Sequence, residues 1–402
     1  MLAGRRTDVT IEIIDKNSCT GCGACANVCP YGCISMQSGE YGFYSPIVSK
    51  ENCVECGLCE KRCPILSGGI KNSNSELPQV FAAWSLDNDI RLCSTSGGVF
   101  SEFAKYVLSV GGSVVGARYT KDHLVEHCII DDVADLEKIR QSKYIQSFTG
   151  NIFKEIKKNL DKGSVVAFCG SPCQVAGLLS FLHDNPENLI TLDFICHGMN
   201  SPMAYTSYLD MLAKKYKSRV KRVWFKNKTY GWNRFSTRID FENGEQYLQD
   251  RNSDLFMRGY IEQNLYMRSC CFDCHYKKFP RVADITLGDF WGVADYKPSL
   301  DQDLGTSLIM LNSAKSEQLF ENIKDNIYSE KCSIDVALPG NACIFENAVR
   351  NPKSDKFMTL LKRYPFDKSF RKVVESNRHS KCTKSFIGFS KKVLKYIARK
   401  IR

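Results

Sequence analysis

The sequence predicts a protein of the α+β/α/β class, in which a small cysteine-rich α+β domain precedes an α/β domain with a mixed sheet. Two cysteine runs of the same pattern occupy the first 66 residues. After Pro78, apolar runs of strand length alternate with amphipathic stretches of helical length, which is typical of α/β proteins. The predicted divisions are a first domain at 1–66, a polar linker at 67–78, two parts of one α/β region at 79–160 and 161–375, and a tail at 376–402.

The first domain is defined by eight cysteines in two runs, which both read C-x-x-C-x-x-C-x-x-x-C-P. This is the spacing of the bacterial two-cluster ferredoxin, in which the fourth cysteine of each run binds the other [4Fe–4S] cluster. A pair of zinc sites or disulfides is the alternative, but zinc usually takes C-x-x-C pairs with His or with a distant pair. The predicted ligands of cluster I are Cys19, Cys22, Cys25 and Cys63, and those of cluster II are Cys53, Cys56, Cys59 and Cys29.

Three further expectations concern this bacterial ferredoxin-like domain. Gly23 and Gly57 allow tight turns that leave backbone N–H groups free to face the sulfurs. The apolar stretch Val9–Ile14 predicts an opening strand. Cys33 has no counterpart in the second run and is expected to be a small packing residue.

The elements of the α/β region are predicted from the period of their apolar residues. In the first helix, Val99, Phe103 and Val107 recur on one face, and Ser171 with Pro172 suits the start of a later helix. The predicted strands are Val80–Trp84, Ser113–Tyr119, Ser164–Phe168, Leu189–Ile195, Val220–Phe225, Phe235–Phe241, Ile285–Leu287 and Ser307–Leu311. The predicted helices are Gly98–Leu108, Ile152–Leu160, Pro172–Leu182 and Met203–Tyr216.

Composition and charge limit the classes of protein to which this chain can belong. The chain has 402 residues, of which 43% are hydrophobic and 25% charged, as in ordinary globular proteins. Its 20 cysteines, with no signal peptide or long apolar run, indicate an intracellular metal or redox protein. The net charge is +11, but nine Lys/Arg and no Asp or Glu fall in the tail, so the body is nearly neutral. Nucleic acid is therefore not an expected partner.

The tail is predicted to form a basic amphipathic helix. Phe386, Phe389, Val393 and Ile397 recur at helical spacing among lysines and arginines. Such a helix can lie on an anionic membrane surface, and a solvated helix or one docked on its own domain is the alternative. The predicted location is the cytoplasm, with peripheral contact at the inner face of the cell membrane.

Three cysteine motifs predict a further metal site in the α/β region. Cys173 lies in the first turn of a predicted helix, where the helix dipole favours a thiolate. Cys196 follows the next strand, and both cysteines are expected at the carboxyl edge of the sheet. Cys271 and Cys274 complete a predicted quartet for a third [4Fe–4S] cluster. Cys270 can replace Cys271, and zinc is the competing metal.

The turn Thr95-Ser96-Gly97-Gly98 leads directly into a predicted helix. Ser96 is expected to cap that helix, and the two glycines let backbone N–H groups approach an anion such as a phosphate or pyrophosphate. A simple capped turn is equally compatible with these residues.

Six motifs in order resemble the beta-subunit family of coenzyme F420-reducing hydrogenases and dehydrogenases, over roughly residues 15–350. The motifs are Ser96-Gly97-Gly98, Ser142–Ser147, Gly170–Gln174, Cys196-His197-Gly198, Cys271-x-x-Cys274 and Ala283–Asp289. The resemblance implies FAD beside a [4Fe–4S] cluster, and electron transfer to or from an organic substrate or a deazaflavin-type carrier. By the same resemblance, the residues that face FAD are Ser96, Gly97, Gly98, Ser142, Lys143, Tyr144, Gly288 and Asp289.

The full ferredoxin-like domain, the Gly231-Trp232 segment and Phe290-Trp291-Gly292 resemble the bacterial branch, which is often found beside polysaccharide-building enzymes. Membership of that branch does not fix the substrate, so reduction of coenzyme F420 itself is not implied. The expected partners are a low-potential electron donor or acceptor protein and a small organic substrate.

Two residues are candidates for catalysis. His197 is placed to donate a proton after hydride transfer, and Lys143 to polarise a carbonyl or bind a flavin phosphate. A structural role is the alternative for His197. Two rival functions stay open, namely an electron-transfer subunit with no substrate of its own and a structural protein that holds zinc.

Overall fold

The computed structural model describes residues 10–69 and 74–375, so the predicted tail helix lies outside the described residues. The strands are β1 (Ile34–Ser38), β2 (Tyr44–Val48), β3 (Gln79–Ser85), β4 (Ser113–Tyr119), β5 (Val125–Ile130), β6 (Ser147–Phe148), β7 (Val166–Cys169), β8 (Leu189–Phe194), β9 (Val220–Asn227), β10 (Ser236–Phe241), β11 (Gln246–Asp250), β12 (Ile285–Asp289), β13 (Ser307–Leu311) and β14 (Ile327–Cys332). The helices are α1 (Ala24–Val28), α2 (Leu58–Lys61), α3 (Asn88–Leu92), α4 (Val99–Ser109), α5 (Leu136–Ile139), α6 (Ile152–Leu160), α7 (Pro172–Leu182), α8 (Pro202–Tyr216), α9 (Leu255–Met257), α10 (Val293–Tyr296), α11 (Ala314–Ile323), α12 (Ile334–Ala337), α13 (Ser354–Leu361) and α14 (Phe366–Val374). None of the described helices combines the length and the apolar character needed to cross a bilayer.

The cysteine-rich domain consists of the β1–β2 hairpin and the two short helices α1 and α2. Each helix begins after a glycine in the left-handed region, with φ of 84° at Gly23 and 69° at Gly57. The expected strand at Val9–Ile14 is wrong, because the described part of that stretch contains a 3₁₀ turn. Ile11 and Ile14 are both buried, at the three-residue spacing that such a turn places on one side.

The α/β region is built on a nine-stranded mixed sheet in the order β14-β3-β13-β12-β8-β7-β4-β5-β6. Its central strands β12, β8, β7 and β4 are parallel to one another. Their carboxyl ends therefore meet at one side of the sheet, which we call the carboxyl edge. Open α/β sheets bind their ligands at such edges.

The strands and helices predicted for the α/β region are confirmed, with ends within two residues of those expected. Short strands such as β6 and the helices α9 to α14 were not predicted. The second sheet, β11-β10-β9, packs with α8, α13 and α14 around an aromatic core that contains Tyr208, Phe256 and Phe366.

The cysteine-rich domain is packed directly on the α/β region. Cys22 and Ala24 lie in one apolar cluster with side chains of α6 and α7, including Phe153. Asn27 Nδ2 donates to the carbonyl of Gly150 at 2.8 Å. These contacts bring the loop that contains Cys22, a predicted ligand of cluster I, onto the helix that begins beside Cys173.

Candidate metal centres and cofactor site

The four cysteines predicted for cluster I lie together and are all buried. Burial raises the pKa of the Cys25 thiol well above its usual value, and the neighbouring Cys22, Cys19 and Cys63 raise it further. The structure therefore places the last cysteine of the second run beside the first three cysteines of the first run. This is the crossed arrangement that the spacing predicts.

The cysteines predicted for cluster II line a small cavity at the surface, and Cys33 lines it with them. Cys56 is exposed, whereas Cys29 and Cys59 are buried. The sulfur of Cys33 lies 3.2 Å from the sulfur of Cys29. Burial and this hydrogen bond raise the pKa of Cys33 to about 12. Cys33 therefore packs in direct contact with a predicted ligand.

A cavity of about 250 Å³ lies between the cysteine-rich domain and the carboxyl edge of the sheet. Cys173 reaches it from the first turn of α7, and Cys196 from the segment after β8. The remaining cysteines come from a 3₁₀ segment at Ser269–Asp273 and the residue after it. Every cysteine predicted for the third cluster lines this cavity, namely Cys173, Cys196, Cys271 and Cys274, together with Cys270.

The volume of this cavity is far larger than a single water or metal ion needs. A single water needs only about 10–15 Å³, so the cysteines surround a space for a group of several atoms. Within residues 10–69 and 74–375, no three His, Cys, Asp or Glu side chains are arranged to hold a single metal ion.

The thiols of this third site lie close enough to influence one another. Burial raises the pKa of Cys196 well above its usual value, and Cys271, Cys173 and Cys274 raise it further. We expected the helix dipole to favour a thiolate at Cys173, but burial raises the pKa of that thiol. Desolvation outweighs the dipole in this enclosed position.

Cys271 stays the predicted fourth ligand, with Cys270 as the alternative. Contact between the two neighbouring thiols raises the pKa of Cys270 and lowers that of Cys271. The backbone N–H of Met199 also donates to the sulfur of Cys271, at 3.3 Å. This backbone donor favours Cys271 as the ligand, because hydrogen bonds to the sulfurs tune iron–sulfur clusters.

The structure adds Cys343 to the cavity, which the sequence did not suggest because this residue stands alone in the chain. His197 Nδ1 lies 3.3 Å from the sulfur of Cys343, and its Nε2 lies 2.8 Å from Asn264 Oδ1. Burial lowers the pKa of His197. His197 therefore borders the third site, and its role as a proton donor to a substrate stays a prediction.

The turn predicted to bind a phosphate lies at the start of β13. Gly97 N donates to Ser307 Oγ at 2.9 Å, and Ser96 Oγ donates to the carbonyl of Thr306 at 2.9 Å. The expectation that Ser96 caps α4 is wrong, because the cap residue is Gly98, which has a φ of 89°. The left-handed residue leaves Ser96 outside the helix.

The three motifs assigned to FAD by resemblance meet at the carboxyl edge. Ser307, whose Oγ accepts a hydrogen bond from Gly97 N, lies opposite Asp289 in the pairing of β13 with β12. Thr95 Oγ1 lies 3.0 Å from Ser142 Oγ, which joins the turn to the second motif. These contacts bring hydroxyl groups and a helix N-terminus, which can donate to a phosphate, close to a carboxylate, which can accept from a hydroxyl.

Asp289 is held by a buried network. It forms an ion pair with Lys226, and Trp232 Nε1 donates to its Oδ1 at 3.0 Å. The Lys226 amine lies 4.7 Å from the ring centroid of Trp291, which stacks on Trp232. Burial raises the pKa of Tyr144, and the charges of Lys226 and Asp289 also act on it. Tyr144 thus borders this network.

Two lysines near the turn are engaged with backbone carbonyls. Lys143 Nζ donates to the carbonyl of Arg140 at 2.6 Å, and burial lowers the pKa of Lys143 to about 8. Lys228 Nζ donates to the carbonyls of Arg91, Ser96 and Leu304 at 2.6 to 2.7 Å. Lys228 therefore connects the turn, through Ser96, with the segments that contain Arg91 and Leu304.

Comparison with protein families gives two matches. Residues 163–336 match the family described as the C terminus of the coenzyme F420 hydrogenase/dehydrogenase beta subunit. Residues 18–66 match the 4Fe-4S dicluster domain. The second match contains all eight cysteines predicted for clusters I and II.

The proteins similar to this chain include the two described here. The F subunit of the F(420)H(2) dehydrogenase of Methanosarcina mazei is 22% identical over 327 residues, which is 79% of this chain and 85% of that protein. A chain of the F420-reducing [NiFe] hydrogenase complex from Methanosarcina barkeri, solved after xenon derivatization, is 18% identical with a TM-score of 0.45. The match covers 76% of this chain and 95% of that one.

Proposed function

Because this chain belongs to the coenzyme F420 hydrogenase/dehydrogenase beta-subunit family and carries a 4Fe-4S dicluster domain, we propose that it is an iron–sulfur flavoprotein oxidoreductase. Its cofactors in this proposal are three [4Fe–4S] clusters and FAD, which join one-electron transfer to hydride exchange with a small organic substrate or deazaflavin-type carrier. The observation that carries the proposal is the cysteine-lined cavity between cluster I and the carboxyl edge.

The order of the three cysteine sites supports a defined route for electrons. Cys56 of cluster II is exposed, so a partner protein can approach this end of the chain. Cys22 of cluster I packs against α7, whose first turn carries Cys173. Cluster I therefore lies between the exposed site and the third site.

Aromatic side chains fill the space between the third site and the proposed flavin site. The ring centroid of Tyr260 lies 5.1 Å from that of His197 and 5.5 Å from that of Tyr144. Tyr260 OH donates to the carbonyl of Gly198 at 3.0 Å. The residue lies in a π-helical turn, Arg258–Glu262, and such turns often occur at functional sites. Tyr260 therefore joins His197 at the third site to Tyr144 at the proposed flavin site.

A second candidate function is an electron-transfer subunit with no substrate of its own. The similar protein of Methanosarcina mazei is named as one subunit of a dehydrogenase, which favours this alternative. In that case the proposed FAD site exchanges electrons with a partner and needs no pocket for an organic substrate.

The proposal is tested with the full chain purified without oxygen, alongside its Cys173→Ser variant. The cofactor released by denaturation is identified by chromatography, and reduction of the protein by dithionite is followed by absorbance. We expect FAD that dithionite reduces in both proteins, and a smaller loss of cluster absorbance on reduction in the variant. A panel of carbonyl compounds, unsaturated compounds and deazaflavins then tests hydride transfer.

The outcomes separate the candidates. FAD with turnover of any compound in the panel supports the oxidoreductase. FAD without turnover favours the electron-transfer subunit. A wild-type protein that holds iron but no flavin overturns the flavoprotein proposal.

A further inference from the structure

Arg268 lies two residues before Cys270 in the chain and is only 4% exposed. Its backbone N–H donates to the carbonyl of Met199 at 2.8 Å, and its carbonyl accepts from Cys271 N at 3.0 Å. The main chain of Arg268 therefore joins the segment after Cys196 to the segment that contains Cys271. Both segments supply ligands to the proposed third cluster.

The side chain of Arg268 reaches the other way, into the cysteine-rich domain. Its Nε donates to the carbonyl of Cys19 at 2.7 Å, and its Nη1 donates to the carbonyl of Tyr44 at 2.9 Å. Nη1 also donates to Gln146 Oε1 at 3.1 Å, and Nη2 to Ser45 Oγ at 3.3 Å. One residue thus contacts the ligand loop of cluster I and the ligand segment of the third site.

The charge of Arg268 needs an explanation, because these four acceptors are neutral oxygens. A guanidinium stays protonated in proteins, and burial of such a charge costs several kcal/mol unless negative charge lies nearby. Arg268 also lines the cavity of the third site, together with Cys270 and Cys271. In the proposed holoprotein, a cluster held by four thiolates on either side supplies such negative charge.

We propose that Arg268 is a positioning residue that fixes cluster I against the third cluster and stabilises the reduced state of both. This inference rests on the proposed function, since it requires the third cluster. Two consequences follow. Loss of the side chain weakens the magnetic interaction between the two clusters, and loss of its charge makes both clusters harder to reduce.

The test uses the full-length protein with Arg268→Gln, Arg268→Lys and a charge-matched control, Arg234→Gln. Arg234 is exposed and pairs with Asp250 on the second sheet. Iron is counted first, and each protein is then titrated with dithionite while the clusters are followed by electron paramagnetic resonance. For Arg268→Gln we expect about a tenfold shift of the reduction equilibrium toward the oxidised clusters, which is about 59 mV for a one-electron couple. We also expect sharper signals as the magnetic interaction weakens.

Arg268→Lys keeps the charge but not the planar set of donors. It is expected to preserve the potentials more closely than Arg268→Gln and to weaken the magnetic interaction. If Arg268→Gln loses iron, the inference is tested with Arg268→Lys alone. Electron paramagnetic resonance signals of Arg268→Lys that match the wild type then overturn the inference. Potentials and signals of Arg268→Gln that match the control also overturn it, and leave the proposed function intact. A wild-type protein with only eight irons overturns both the third cluster and this inference.

Discussion

The ion pair between Lys226 and Asp289 gives a prediction whose size can be worked from the structure. The two side chains are only 7% and 13% exposed. Lys226→Met leaves the Asp289 carboxylate buried with Trp232 as its remaining donor. Removal of one partner of a buried pair typically costs about 3–5 kcal/mol, because the other charge stays uncompensated.

This cost converts to a shift in melting temperature. The α/β region has about 300 residues, and unfolding entropy is about 2.1 cal/mol/K per residue, so its unfolding entropy is about 0.6 kcal/mol/K. Lys226→Met is therefore expected to lower Tm by about 5–8 °C. The measurement is an anaerobic thermal melt followed by circular dichroism.

Two comparisons make the result specific. Lys226→Met/Asp289→Leu removes both charges and is expected to recover most of the lost Tm, since apolar replacement of a whole buried pair is often neutral. Iron content is expected to stay at the wild-type value in both variants. A drop below about 1.5 °C for Lys226→Met, which is about 1 kcal/mol, would refute the buried pairing.

Three further predictions address the metal sites and the response to pH. Cys173→Ser is expected to lower iron by about four atoms per chain and to leave the two N-terminal clusters visible by electron paramagnetic resonance; unchanged iron contradicts the ligand assignment. Gly177→Ala places a Cβ 2.8 Å from Cys22 Cβ. We expect about 1–3 kcal/mol of destabilisation from overpacking and altered electron paramagnetic resonance signals of cluster I. A resonance spectrum identical to that of the wild type contradicts the contact. Burial lowers the pKa of His127 to about 4. Below about pH 6.5 the unfolded chain therefore binds more protons than the folded chain, and the free energy of unfolding falls by about 3 kcal/mol as the pH drops from 6.5 through 4. Urea unfolding at several pH values is expected to show a weaker dependence of this free energy on pH for His127→Gln than for the wild type. The same dependence in both proteins refutes the assignment.

The third site was largely predictable from the sequence because its cysteines follow recognisable elements. Ser171 and Pro172 start α7 where the sequence predicts, and a capping interaction between Ser171 N and Gln174 Oε1 at 3.0 Å supports that start. Cys173 and Cys196 follow neighbouring parallel strands, so the topology alone brings them to one edge. The C-x-x-C pair is visible as a motif.

Other parts of the site were not predictable because they depend on contacts between distant positions. Cys343 is isolated in the sequence and reaches the cavity only through the packing of the region after β14. Arg268 looks like an ordinary charged residue beside the cysteines until its contact with Cys19, 249 positions away, is known. The helix cap was assigned to Ser96 from its residue type, whereas the left-handed φ of Gly98 decides where α4 begins.

The central claim is that a third cluster occupies the cavity between cluster I and the carboxyl edge. The most direct measurement is the iron and acid-labile sulfide content of the wild-type chain purified without oxygen. Three clusters predict about twelve of each per chain. About eight of each, with the N-terminal clusters intact, would contradict the claim.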